Sequence, residues 1–71
     1  MNNQYSTIMI NGEPFNCLHS MSLYDVLIYL DFDIDRVIVE YNNRVIANCL
    51  FHKITINNHD KLEVITIVGG G

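Results

Sequence analysis

STIMINGEPFNCL, residues 6–18, decides the fold. Apolar residues alternate through Ile8 and Ile10, the chain meets Asn11-Gly12, and the apolar positions resume at Phe15 and Cys17. Asn-Gly between two alternating runs is the strongest short-range hairpin signal, because a type I′ turn needs positive φ at both central residues. Pro14 falls at the start of the second run, where a missing N–H costs a strand least. The chain therefore opens with a β-hairpin.

The next segment has a different period. In SMSLYDVLIYLDF, residues 20–32, Leu23, Val26, Leu27 and Leu30 fall at i, i+3, i+4 and i+7, one apolar stripe of a helix. Ser22 with Asp25 three residues on reads as its N-cap, the acid lying near the positive end of the dipole. Asp31, Asp33 and Asp35 suit a helix C-terminus poorly and mark a loop. RVIVEY, residues 36–41, is a β-branched strand with Val37, Val39 and Tyr41 on one face. Asn42-Asn43 turns it into a short return strand, RVIAN. LFHKITINNHD, residues 50–60, reads two ways: Leu50 and Phe51 suit a tight turn, while Ile54 and Ile56 alternate like a short strand. A turn at Asn57-Asn58 then leads into KLEVITIV, the last strand.

The order β-β-α-β-β-(short β)-β predicts an α+β fold, a mixed sheet of four to five strands packed on one helix. The first and last strands are expected parallel at the sheet centre, as in a β-grasp fold. Ile8, Ile10, Val37, Val39, Leu62 and Val64 then face the helix stripe. Residues 1–67 form the domain, and 68–71 a flexible tail, expected to be disordered in the free protein.

Seventy-one residues make one domain, and 49% hydrophobic composition favours a globular chain. The net charge of −4 comes with no basic cluster, so nucleic-acid binding has little electrostatic support. A partner with basic residues around its docking site suits it better. No apolar run has the length of a membrane span, and no leader pattern opens the chain, so a soluble protein with no membrane partner, not addressed to export, is expected. Cys17 and Cys49 read as two reduced thiols behaving as small hydrophobes. The abundance of Ile and Asn, with one alanine, suits a low-GC bacterial or an organelle genome.

The remaining feature is the end, VITIVGGG, residues 64–71. Three glycines add nothing to packing, yet they can enter a slot too narrow for any side chain. Their α-carboxylate, at Gly71, is ionised at neutral pH and becomes reactive only when activated, for instance by adenylation. No phosphate-binding loop is present, so a partner must supply the ATP chemistry and no cofactor is expected to be bound. His19, His52 and His59 do not stand at metal-ligand spacing, alone or with the cysteines. Asp31, Asp33 and Asp35 lack the glycine and bidentate glutamate of a calcium loop, and no metal site is expected. No residue pattern marks an intrinsic catalytic site, so the chain is read as no enzyme. Met9, Ile38, Ile65 and Ile67 are expected on the outward sheet face near the tail, a docking surface.

From MINGEPF through VIVEYNNRVI to DKLEVITIVGGG, the chain resembles the thiamine-pathway sulfur carriers of the ThiS family. The resemblance implies a cycle. An E1-like adenylyltransferase (ThiF-like) adenylates Gly71, sulfur originating from a cysteine desulfurase displaces AMP, and thiazole synthase (ThiG-like) takes sulfur from the thiocarboxylate. Gly70 and Gly71 carry over as the terminal pair, with Gly69 as an extra residue threading into the partner. The carrier is expected to be a monomer alone, in a bacterial cytoplasm or, if organelle-encoded, the plastid stroma. The small subunit of molybdopterin synthase shares the terminal chemistry but tends to be longer, with a proline-containing approach that ITIVGGG lacks. A protein modifier attached to lysines, and a plain β-grasp interaction domain with an inert tail, are the other readings.

Overall fold

The computed structural model describes residues 5–68. Strands β1 (Tyr5–Ile10) and β2 (Glu13–Leu18) form the opening hairpin, with Ile10 opposite Glu13. Asn11 and Gly12 have φ of 51° and 84°, the two positive values that the turn demands. Helix α1 (Leu23–Tyr29) comes next. The Ser22 hydroxyl accepts from the Asp25 N–H at 3.0 Å, and the Asp25 carboxylate accepts from the Ser22 N–H at 3.1 Å, a reciprocal capping box. Its far end closes without glycine. Asp31 takes the left-handed conformation (φ 70°), and the N–H groups of Asp31 and Phe32 donate to the carbonyls of Ile28 and Leu27.

A 3-10 turn, η1 (Ile34–Arg36), capped by Asp33, leads into β3 (Val37–Tyr41). Asn42 and Asn43, at φ 50° and 72°, turn it into β4 (Arg44–Ile46). A longer 3-10 segment, η2 (Asn48–Lys53), precedes the last strand, β5 (Lys61–Thr66). The sheet order is β2-β1-β5-β3-β4, with β5 parallel to β1 and antiparallel to β3. This is the α+β mixed sheet expected, with the first and last strands side by side. Leu23, Val26 and Leu27 of α1 pack with Ile8, Val37, Val39, Leu62 and Val64 in one core.

Several expectations are corrected. Residues 54–56 form no sheet strand: a single Ser22–Thr55 bridge joins them to the start of α1, with the Leu23 N–H on the Ile54 carbonyl. The backbone of this connector is tied to the start of α1 instead, with the Ile56 N–H on the Met21 carbonyl, while Ile56 is buried in the core and Ile54 packs against it. Leu50 and Phe51 lie in η2 rather than a single tight turn, with Phe51 wholly buried and Leu50 exposed. The turn before β5 sits at Asn58-His59, because His59 takes the positive φ (72°). Ile10 and Leu30, each at the end of its element, are half-buried and pack against the core as expected.

Loop 57–60 stitches the two hairpins to β5. Its hub is the carboxylate of Asp60, 8% exposed, which accepts from the Tyr41 hydroxyl (2.6 Å), the Asn42 amide (3.1 Å) and the Asn57 N–H (2.7 Å). The Asp60 carbonyl accepts from Met9 N–H, while His59 N–H donates to Thr7 and the Asn58 side chain accepts from Thr7 N–H. No buried side-chain polar atom among the described residues lacks a partner.

Phe51→Ala should cost about 3–5 kcal/mol by urea denaturation, whereas Leu50→Ala should cost about 1 kcal/mol or less. Burial, then the Asp60 hydrogen bond, push the Tyr41 hydroxyl up to about 12. The folded protein thus holds this proton more tightly than the unfolded chain. The stabilisation is complete below about pH 10 and is lost as pH rises towards about 12. Tyr41→Phe should cost about 1–2 kcal/mol at neutral pH. Denaturation midpoints measured along an alkaline series should fall less steeply in that variant than in the wild type.

Candidate functional site

The end of β5 is held on both edges. On the β3 side, the Ile67 N–H donates to the Arg36 carbonyl at 2.7 Å, one step beyond the Val37–Thr66 pair. On the β1 side, the Asn11 side chain accepts from the Val64 N–H at 2.7 Å and donates to the Val64 carbonyl at 3.2 Å. Arg36 itself is tied by an exposed 3.6 Å ion pair to Asp33, which caps η1. The root of the tail is therefore the secured end of a central strand. Gly69, Gly70 and Gly71 lie outside the described residues.

The outer face of the sheet, away from α1, carries alternate residues of each strand. On β5 these are Lys61, Glu63 and Ile65; beside them on β3 stand Glu40 opposite Glu63 and Ile38 opposite Ile65. Ile38 (43% exposed), Ile65 (60%) and Ile67 (45%) make an apolar patch at the tail root. Met9, 36% exposed, pairs with Lys61, four residues and about 13 Å back along β5, so it stands apart from that patch. Between them lie Glu40 and Glu63, directly opposed like charges that oppose the pairing slightly. Neither has a salt bridge among the described residues. The surface is thus apolar at the root and acidic behind it.

The other chemistry-bearing residues are dispersed. His19 meets the Ser6 hydroxyl at 3.2 Å, His52 stacks on Tyr24 with ring centroids 3.9 Å apart, and His59 sits in the loop before β5. Both cysteines are free thiols, Cys17 buried and Cys49 exposed. Burial, with a smaller contribution from the Asp60 charge, pushes the Cys17 thiol up and keeps it protonated. No grouping of metal-ligating side chains occurs among the described residues. An apolar groove of about 250 Å³ runs between β2 and α1, lined by residues such as Phe15, Met21 and Tyr29, with few polar groups to orient a ligand. No helix among the described residues is long and apolar enough to cross a membrane.

Three features escaped the sequence: the Asn11 clamp, the Arg36 carbonyl and the Asp60 hub. Asn11 was legible as a turn residue, but its side-chain partner lies 53 positions away. No local period points to it.

Comparisons with known proteins agree with this architecture. The ThiS family profile matches residues 8–71, a span that includes the three terminal glycines. The protein ycf40 of Porphyra purpurea is 51% identical over 71 residues, covering all of both chains. A thiazole synthase of Paramagnetospirillum magneticum is 34% identical over 64 residues, 90% of this chain but 20% of that protein. The crystal structure of the thiamine biosynthesis protein ThiS from Geobacter metallireducens superposes with a TM-score of 0.78 at 26% identity, covering 92% of this chain and 99% of that one. A match running from β1 through the glycine tail, on a β-grasp sheet with the tail-bearing strand at its centre, places the chain in the ThiS family of ubiquitin-like sulfur carriers of thiamine biosynthesis.

Proposed function

We propose that this chain carries sulfur for the thiazole ring of thiamine on the carboxylate of Gly71. The observation that carries the reading is the extent of the family match, which runs through Gly69, Gly70 and Gly71. In the proposed cycle an E1-like, ThiF-like adenylyltransferase binds ATP, and the Gly71 carboxylate attacks its α-phosphorus, forming an acyl-adenylate and releasing pyrophosphate. A sulfur nucleophile drawn from cysteine by a desulfurase attacks the acyl carbon and expels AMP. Where sulfur arrives as a persulfide, a thiol reduces the resulting acyl disulfide and frees the thiocarboxylate. The chain supplies the acyl carbon and its delivery; the bond-making groups belong to its partners.

A ThiG-like acceptor is supported by the thiazole synthase relatives, which carry a region similar to this chain over one fifth of their length. A region joined to a synthase works at high effective concentration beside it, as a sulfur donor would. The ycf40 relatives come from plastid genomes, which supports the stromal alternative for this chain.

Ile38, Ile65 and Ile67 form the docking patch for the activating enzyme, with Gly69 and Gly70 threading towards its nucleotide. Met9 is the outlying member of that surface. Glu40 and Glu63 fit a partner with basic residues, consistent with the overall charge of −4.

Incubation with ATP, a ThiF-like enzyme, cysteine and a desulfurase should shift the intact mass by the exchange of one oxygen for sulfur. Deleting Gly71 should abolish that shift, and a wild-type chain left unchanged by an enzyme competent on its own carrier would favour the inert interaction domain. Ile65→Asp, at an exposed position, should preserve the fold and raise the KM for the carrier about tenfold, a loss of about 1.4 kcal/mol of docking.

A further inference from the structure

β1 ends one rung too early. The backbone groups of Asp60, Leu62 and Val64 face β1, and β1 serves them in turn: Met9 N–H on the Asp60 carbonyl and Asn11 N–H on the Leu62 carbonyl, both at 2.9 Å. The next rung would need residue 13, but the chain has already turned at Asn11-Gly12 into β2. The Asn11 side chain supplies that rung itself. Its amide takes both backbone groups of Val64, one as acceptor and one as donor, as a neighbouring peptide would. Among the described residues, no hydrogen bond reaches residues 65–68 from the β1 side.

We propose that Asn11 is a positioning residue for the tail chemistry, fixing the lateral place and heading of β5 at Val64 so that the terminal carboxylate reaches the partner's nucleotide when the outer face is docked. This role rests on the sulfur-carrier reading. The last grip on the other edge is Arg36 on Ile67. From there residues 68–71 span at most about 13–14 Å, so the place and heading of the root bound the region that the acyl carbon can reach. Near-attack geometry tolerates little: a misplacement of about 1 Å can cost as much as 10²-fold in rate. Asn11 does not belong to the Ile38–Ile65–Ile67 patch, and its effect should therefore fall on turnover rather than on docking.

Asn11→Gly isolates the clamp, because Gly-Gly satisfies a type I′ turn as Asn-Gly does and only the amide is lost. Asn11→Asp also keeps the turn and the acceptor for Val64 N–H, but sets a carboxylate against the Val64 carbonyl. The experiment is steady-state adenylation of each full-length carrier by a ThiF-like enzyme, read as pyrophosphate release, with amide exchange measured on the same samples. For Asn11→Gly the expected result is faster exchange at Val64, unchanged exchange at Ile8 and Val39, a KM within about twofold of wild type, and a kcat lower by about tenfold. Asn11→Asp should fall between the two. A merely structural role would speed Val64 exchange and leave kcat at the wild-type value, and that result overturns the proposal. So does a loss confined to KM, or Val64 exchange that does not change. If Asn11→Gly fails to fold, Asn11→Asp is scored by the same criteria. Failure of the wild-type chain to be adenylated would overturn the carrier reading, and this inference with it; normal wild-type turnover with normal Asn11→Gly turnover overturns this inference alone.

Discussion

The insertion of β5 between β1 and β3 is the constraint on which the rest of the structure depends. The two hairpins share no strand pairing with each other; the sheet becomes continuous only when the last strand lies between them. That contact is long-range, since β1 and β5 are separated by almost the whole chain, and its loop-closure cost is met only when the core has assembled. The backbone ladder between them is short, with Met9 and Ile10 registered on Lys61 and Leu62. Side chains complete it at both ends. Asp60 and its donors, with Asn58 on Thr7, secure the entry to β5, and Asn11 secures its exit.

This arrangement reverses the usual property of a chain end. Terminal residues fray because they are held from one side or not at all. Here the strand leading to the tail is the central strand of the sheet, with Leu62 and Val64 buried in the core and neighbours on both edges. In the proposed cycle, a carrier that reacts through its terminal carboxylate needs that combination. The point where the chain leaves the sheet is thereby fixed relative to the outer face.

Much of the fold was legible because it rests on local chemistry. Asn11-Gly12 and Asn42-Asn43 announce type I′ turns by residue type alone, and Leu23, Val26 and Leu27 mark their helix by spacing. Residues 48–60 were not legible, for a physical reason. Phe51, Ile54 and Ile56 satisfy the core from irregular backbone, and alternation over so few residues cannot distinguish a strand from a connector pointing side chains inward. Register was likewise hidden at Met9: alternation gives its face, but parallel register, which no local pattern sets, places it beside Lys61 rather than Ile65. Asp60 carried no signal of its role in the sequence, because its three partners are Tyr41, Asn42 and Asn57.

The same packing bears on how sulfur can travel. A protein can hold sulfur on a cysteine as a persulfide or on an acyl carbon as a thiocarboxylate. The first needs an accessible thiolate. Cys17 is closed inside the core, where desolvation and the Asp60 charge both disfavour the thiolate. Cys49 is exposed, yet it sits on η2, which packs with α1, and not on the outer face beside the tail root. An acyl carbon carries the opposite requirement: it must be electrophilic, and a carboxylate becomes so only in a partner's nucleotide site. A small domain with a protonated interior thiol and a firmly rooted last strand fits the second route, as in the proposed cycle, with the fold contributing position.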